Sequence, residues 1–139
     1  MGDNIIKIYV DGACRNNQCR ENIGGIGVVL QYGDNSKEFG EAYENTTNNQ
    51  MEILSVIRAL ESLKRYDIPI EVYSDSQYVI NTINLGWRRN ANIELWVQLD
   101  ELLSKIPTIT FHKVKGHSDN IYNNRADQLA NEAMDRYKR

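Results

Sequence analysis

The stretch from Asn48 to Asp75, NNQMEILSVIRALESLKRYDIPIEVYSD, carries the strongest structural signal in the chain. Met51, Leu54, Ile57, Ala59, Leu60 and Leu63 recur at helical spacing, behind two good N-cap residues, Asn48 and Asn49. Pro69 then opens a short strand, Ile70 to Tyr73, which Ser74-Asp75 stops. Toward the N-terminus, Lys37 to Tyr43 and Gly24 to Tyr32 read as strands split by a hairpin at Gly33-Asp34-Asn35-Ser36. Ile5 to Val10 is apolar on both faces except for Lys7, as in a central strand, and Asp11-Gly12 ends it. The helix between Lys37 and Tyr73 is a crossover, which predicts a parallel pairing for Ile70 to Tyr73. Toward the C-terminus, Ser76 to Leu85 and Ile93 to Leu103 read as helices, Thr108 to Val114 as a strand, and Gly116 to Asn123 as a loop. A last helix runs from Asn124 to Tyr137, with Ala126, Leu129, Ala130, Ala133 and Met134 on one face. The order β-β-β-α-β-α-α-β-α predicts an α/β fold, a mixed sheet with helices on both faces.

With 139 residues, 41% hydrophobic and 25% charged, the chain has ordinary globular composition and reads as one domain, residues 1–139. A chain of this size buries about two-thirds of its unfolded surface and needs no covalent staple. The longest uncharged apolar run, Ile26 to Leu30, is too short to cross a bilayer. Met1-Gly2-Asp3-Asn4 lacks the basic and apolar regions of a secretory signal, and Ile6 does not fit a myristoylation start. A cytoplasmic protein without a membrane partner is expected. Cys14 and Cys19 are too few for a disulfide framework or a zinc site, and cytosolic redox favours free thiols. The net charge of −3 argues against a dedicated polyanion binder, unless acidic residues are gathered in a metal site.

Four acids stand at suggestive places. Asp11 follows the first strand and Asp75 follows the strand after the crossover helix, on the rim where open α/β sheets bind ligands. Glu52 lies in the first turn of the crossover helix, and Asp127 in the first turn of the last helix, at the border of its buried face. Each also has a purely structural reading. Asp11-Gly12 suits a turn, Asp75 suits a helix cap, Glu52 pairs with Asn49 in a capping box, and Asp127 complements a helix dipole. Four carboxylates in one cleft demand cations, and an all-oxygen set suits Mg²⁺ or Mn²⁺. The matching reaction is two-metal phosphoryl transfer, with ions about 3.5–4 Å apart.

The motifs Ile8-Tyr9-Val10-Asp11-Gly12-Ala13-Cys14, Thr46-Thr47-Asn48-Asn49-Gln50-Met51-Glu52 and Tyr73-Ser74-Asp75-Ser76-Gln77-Tyr78 occur in that order. Val114-Lys115-Gly116-His117 follows, with Asp127 ten residues on in Asn124-Arg125-Ala126-Asp127-Gln128-Leu129-Ala130. Together they resemble the motifs of type 1 ribonuclease H over residues 5–135. The resemblance implies a five-stranded mixed sheet and one site that unites Asp11, Glu52, Asp75 and Asp127. It implies two divalent cations, Mg²⁺ or Mn²⁺, and endonucleolytic hydrolysis of the RNA strand of an RNA/DNA hybrid to 5′-phosphate and 3′-hydroxyl ends. Asp11 would bridge both ions, Asp127 would help hold the ion that activates water, and Glu52 and Asp75 the ion beside the leaving oxygen. His117 would handle protons or assist product release. Cys14, Asn17, Asn48 and Gln77 match RNA-strand contacts, Thr47 and Asn92 a pocket for a DNA-strand phosphate, and Tyr78 and Trp87 contacts to DNA sugars. Recognition through 2′-hydroxyls and backbone predicts weak sequence preference.

The chain departs from the family pattern in three places. The basic protrusion of many members is reduced to Gly86-Trp87-Arg88-Arg89-Asn90-Ala91-Asn92. Asn45 stands where the phosphate pocket often has arginine, losing a bidentate grip. No hybrid-binding domain is appended, so a standalone catalytic domain of weak affinity is expected, with Lys113, Lys115, Arg125 and the tail Arg136, Lys138 and Arg139 as the remaining basic candidates. Two rival readings are a hybrid-binding module whose latent activity needs a partner, and a DNA-processing enzyme of the same superfamily, such as a transposase or Holliday-junction nuclease. The second rival lacks the Thr-Asn-Asn-Gln-Met-Glu and Lys-Gly-His signatures. No exposed apolar stripe is evident, which predicts a monomer, and no organic cofactor is expected.

Overall fold

The computed structural model describes residues 4–15, 22–115 and 120–137. The elements are β1 (Ile6–Arg15), β2 (Ile23–Tyr32), β3 (Asn35–Glu44), α1 (Asn48–Glu61), β4 (Ile70–Ser74), α2 (Gln77–Asn84), α3 (Ile93–Leu103), β5 (Ile109–Lys113) and α4 (Ile121–Arg136). They form a five-stranded sheet in the order β3-β2-β1-β4-β5. β1–β2 and β2–β3 are antiparallel, as hairpin-linked strands must be, whereas β1–β4 and β4–β5 are parallel across helical crossovers. The mixed sheet expected from the element order is therefore the one observed.

Alternation along the strands sorts the core into two layers. Ile8, Val10, Val28, Leu30 and Val72 meet Ile53, Val56, Ile57 and Leu60 of α1 and Trp96 and Leu99 of α3. Full burial of each such aliphatic side chain contributes about 1.5–3 kcal/mol. Trp96 is buried with its Nε1–H donating to the Tyr78 hydroxyl at 3.1 Å, so the indole carries no unsatisfied donor into the core. On the opposite face, Tyr9 and Val29 pack with Ala126 and Leu129 of α4.

Four local expectations are corrected. Asp11-Gly12 does not end β1, which continues to Arg15 because Asp11 to Arg15 pair in register with Gly27 to Ile23 of β2. The hairpin turn is only Gly33-Asp34, since Asn35 pairs with Tyr32, and Gly33 supplies a φ of 59° without a Cβ penalty. The cap of α1 is Thr47, not Asn48 or Asn49: its hydroxyl accepts from Gln50 N–H at 3.1 Å, and Gln50 Oε1 accepts from Thr47 N–H at 3.1 Å. The last helix starts at Ile121 instead of Asn124, because Asn120 Oδ1 accepts from the N–H groups of Tyr122 and Asn123.

α4 lies unusually close to the sheet. A Cβ on Gly27 would overlap the Ala126 carbonyl oxygen, and one on Gly25 or Gly40 would come within 2.6 Å of the Ala130 or Leu129 carbonyl. Backbone therefore rests on backbone, which only glycine strands permit. Gly27→Ala should force α4 outward and cost about 3 kcal/mol or more, the severe end of overpacking. Gly33→Ala, which meets nothing within 4 Å, should cost about 1–2 kcal/mol from its left-handed backbone alone. Urea unfolding followed by circular dichroism measures both.

Candidate active site

Three backbone contacts deliver the acids. Asp11 sits in β1 directly opposite Gly27, the residue over which Ala126 passes, and Asp127 follows in the next position of α4. Asp127 comes within hydrogen-bonding reach of Asp11. Gly12 performs the same service on the other face. A Cβ there would meet the backbone of Met51 and Glu52, so its absence brings α1 against β1 beside Asp11. Parallel pairing aligns Tyr9 with Tyr73, which places Asp11 and Asp75 the same distance further along neighbouring strands.

The structural readings of these acids fail one by one. Asp11 is within a strand, not a turn. Thr47 and Gln50 form the capping box of α1, leaving Glu52 in its second turn with no cap to make. Ser76, not Asp75, caps α2 by accepting from Val79 N–H at 3.1 Å, and Ser74 Oγ accepts from Ser76 N–H at 3.0 Å. Asp127 stands in the second turn of α4, beyond the reach of the terminal dipole. None of the four therefore caps a helix, although Asp127 Oδ1 accepts from Asn131 Nδ2 at 3.4 Å.

Their electrostatics point the same way. Asp11 is pushed up to about 9, by burial first, then by the hydrogen bond with Asp127 and the negative charges of Asp75, Asp127 and Glu52. Glu52 is also raised, chiefly by burial and further by Asp75, against a lowering hydrogen bond from Ser76. The charges acting on both groups are all negative. Behind Asp11 the sheet is aromatic: Tyr9 stacks on Tyr73 at 5.0 Å, Tyr73 on His112 at 5.0 Å, and Tyr122 of α4 lies 4.9 Å from Tyr9. Among the described residues no three His, Cys, Asp or Glu side chains are gathered tightly enough to hold a metal ion by themselves. An all-carboxylate set of this openness fits Mg²⁺ or Mn²⁺, which keep waters and accept substrate phosphate oxygens as further ligands.

A model of the RNase H family matches residues 3–135. The chain belongs to the RNase H family. It is 51% identical to the Ribonuclease H of Clostridium botulinum, with 94% of this chain and 95% of that protein covered. To the Ribonuclease H of Chlorobaculum parvum it is 43% identical, with 95% and 97% covered. Among solved structures it resembles the RNase H1 of the halophilic archaeon Halobacterium salinarum, with TM-score 0.79, 33% identity, and 96% and 99% covered. It also resembles LC11-RNase H1 in complex with RNA/DNA hybrid, with TM-score 0.79, 29% identity, and 94% and 96% covered. These neighbours establish the fold as that of type 1 RNase H.

The remaining site candidates of this RNase H chain fall as follows. Asn48 and Gln77 are exposed first residues of α1 and α2, and Thr47 is exposed with its hydroxyl proton left to donate. Cys14 is a half-buried free thiol that donates to Thr46 O at 3.4 Å. Tyr78 and Asn92 are brought together: Asn92 Nδ2 donates to the Tyr78 hydroxyl at 3.3 Å. Trp87 is 43% exposed beside them in sequence, on the α2–α3 connection. Asn17, His117 and Cys19 lie outside the described residues. Sequence reading missed Gly27 and Asn22; three glycines within Gly24-Gly25-Ile26-Gly27 were the available signal of close backbone approach. It also left His112 without a role, and the structure makes it the outer member of the aromatic row.

Asp11 holds in the folded state a proton that the unfolded chain releases near pH 4. Metal-free stability should therefore fall as pH rises from about 4 to about 9. Asp11→Asn should raise the melting temperature in chelator by several degrees, with a larger gain at pH 8 than at pH 5. Thermal unfolding across that range reads the difference, and Mg²⁺ should stabilise the unsubstituted protein more than the variant.

Proposed function

We propose that this chain, as a single catalytic domain, hydrolyses the RNA strand of RNA/DNA hybrids endonucleolytically, leaving 5′-phosphate and 3′-hydroxyl ends. The convergence of Asp11, Glu52, Asp75 and Asp127, each released from any capping role, carries the reading. Membership of the RNase H family and likeness to a structure holding RNA/DNA hybrid support it. The four carboxylates would hold two divalent cations, Mg²⁺ or Mn²⁺. When bound, these lower the pKa of the attacking water and neutralise charge on the phosphate and the leaving oxygen. Asp11, whose buried carboxyl is acted on by the negative charges of Asp75, Asp127 and Glu52, would lie between the ions and be neutralised by them. Glu52, beside Ser76, and Asp75 would hold the ion on the leaving-group side, Asp127 would hold the ion on the water side, and His117 would move protons.

The chain grips backbone, not base edges. Asn48, Gln77, Cys14 and Asn17 address the RNA strand, where 2′-hydroxyls distinguish it. Thr47 and Asn92 take a DNA phosphate, and Tyr78 and Trp87 pack on DNA sugars. Asn45 offers no guanidinium there. Arg89, half of the shortened protrusion's charge, is committed elsewhere: it pairs with Asp100 at 2.5 Å and lies 4.8 Å over the Trp96 ring. Arg125 is bound to Glu38 and Arg15 to Asp135. That economy of free arginine favours, as a second reading, a module whose activity needs a partner that supplies positive charge. In the first reading the chain works alone, as a cytoplasmic monomer without an organic cofactor.

End-labelled RNA tested as single strand, RNA duplex and RNA/DNA hybrid, beside a DNA duplex control, separates the readings. Cutting of the hybrid alone is expected with Mg²⁺ or Mn²⁺, absent in chelator, and reduced more than about a hundredfold by Asp11→Asn or Asp75→Asn. Hybrid binding without cutting under either metal would favour the partner-dependent module. Salt titration tests the basic footprint. Arg88→Ala should reduce the slope of log affinity against log salt by about one, whereas Arg89→Ala should lower the melting temperature and leave that slope unchanged.

A further inference from the structure

The turn Asn45-Thr46-Thr47 between β3 and α1 is held from one side by a single buried amide. Asn22, just ahead of β2, is 7% exposed. Its Nδ2 donates to the Thr46 carbonyl at 2.8 Å, and its Oδ1 accepts from Thr46 N–H at 2.8 Å. Its own carbonyl accepts from Asn45 N–H at 3.1 Å. Beyond the last ladder pair, Ile23 with Glu44, this side chain makes the two bonds that a further strand residue would have made. Asn45 can then swing into a left-handed backbone, φ 53°, and the chain turns into α1.

Thr46, clamped in this way, is itself buried. A Cβ on Gly24 would press on its methyl, its hydroxyl donates to Gln50 Oε1 at 3.1 Å, and its carbonyl also accepts from Cys14 Sγ–H. The same Gln50 oxygen completes the cap around Thr47. Asn22 thus fixes the path of the two exposed residues that follow, Thr47 and Asn48. Apolar packing could fill the same space, but it would not fix the orientation of the Thr46 peptide groups, whereas two short hydrogen bonds do. Glu52 is secured separately, by the contact of its backbone with Gly12 and by the burial of Met51 and Ile53 on either side of it.

We propose that Asn22 is a positioning residue for substrate affinity: without touching nucleic acid, it holds the segment that presents Thr47 and Asn48 to the hybrid backbone. This rests on the hybrid-ribonuclease reading above. Loss of the clamp should loosen the grip on substrate and leave the metal-holding acids in place.

Steady-state kinetics on an RNA/DNA hybrid tests it with Asn22→Ala, Asn22→Asp, Thr47→Ala and the combined Asn22→Ala/Thr47→Ala protein, each first checked for native circular dichroism. Asn22→Ala should raise KM about tenfold, the scale of a lost buried hydrogen bond. Its kcat and half-saturating Mg²⁺ concentration should stay within about twofold of the unsubstituted values. Asn22→Asp keeps the acceptor for Thr46 N–H and loses the donor, so its KM should lie between the two. In the combined protein, KM should rise little beyond the larger single effect, because Asn22 acts through Thr47. An unchanged KM in folded Asn22→Ala, effects that multiply, or a fall confined to kcat would each overturn the proposal. If Asn22→Ala does not fold, an unchanged KM in Asn22→Asp overturns it equally. No cleavage of the hybrid by the unsubstituted protein would instead overturn the activity reading on which the inference stands.

Discussion

The architecture depends on one close approach, where the backbone of α4 crosses the side-chain-free surface of Gly25, Gly27 and Gly40. Helices ordinarily stand off a sheet by the thickness of their side chains. Removal of those side chains from the sheet lets α4 settle until its carbonyl oxygens rest on the strands. Because Gly27 is the register partner of Asp11, that descent brings Asp127 to Asp11. Gly12 repeats the device with α1 on the other face, and Glu52 arrives by it. The acids meet because backbones touch.

The arrangement is costly to the empty protein. A carboxylate pushed up to about 9, with like charges on three sides and an aromatic row behind it, is a poor contributor to stability. The same repulsion would favour a bound cation, since whatever neutralises it recovers the free energy it cost. Stability comes from elsewhere: the aliphatic layer beneath α1 and α3, and caps at Thr47, Ser76 and Asn120 that use none of the four acids. Keeping the caps and the charged cleft on different residues lets an electrostatically costly site sit on a sound frame.

Positive charge is spent in a comparable way. Arg15, Arg89 and Arg125 each hold two pieces of the fold together through an acidic partner. On the hybrid-nuclease reading, a phosphate backbone would then be met by exposed lysines such as Lys113 and Lys115, by helix N-termini and by uncharged amides and hydroxyls. Such contacts are directional and short in range. Their geometry therefore matters more than it would for a basic surface, and a clamp such as Asn22 on Thr46 gains weight accordingly.

Periodicity alone specified most of the fold. The helical stripe from Met51 to Leu63 and the strand runs around it determined element type and order, and Ile93 to Leu103 matched its helix to the residue, because burial of one face every 3.6 residues or every second residue is a local pattern. The four acids were visible as residues but not as a set. Spacing gave each an adequate local duty, and only the structure assigned those duties to Thr47, Gln50, Ser76 and Asn120 instead. Resemblance to a family supplied the grouping that spacing could not. What tertiary structure alone decided was distance between segments far apart in the chain: Ala126 on Gly27, Met51 on Gly12, Asn22 on Thr46. Those contacts depend on where backbones can approach, and a linear sequence marks such places only by the absence of a side chain.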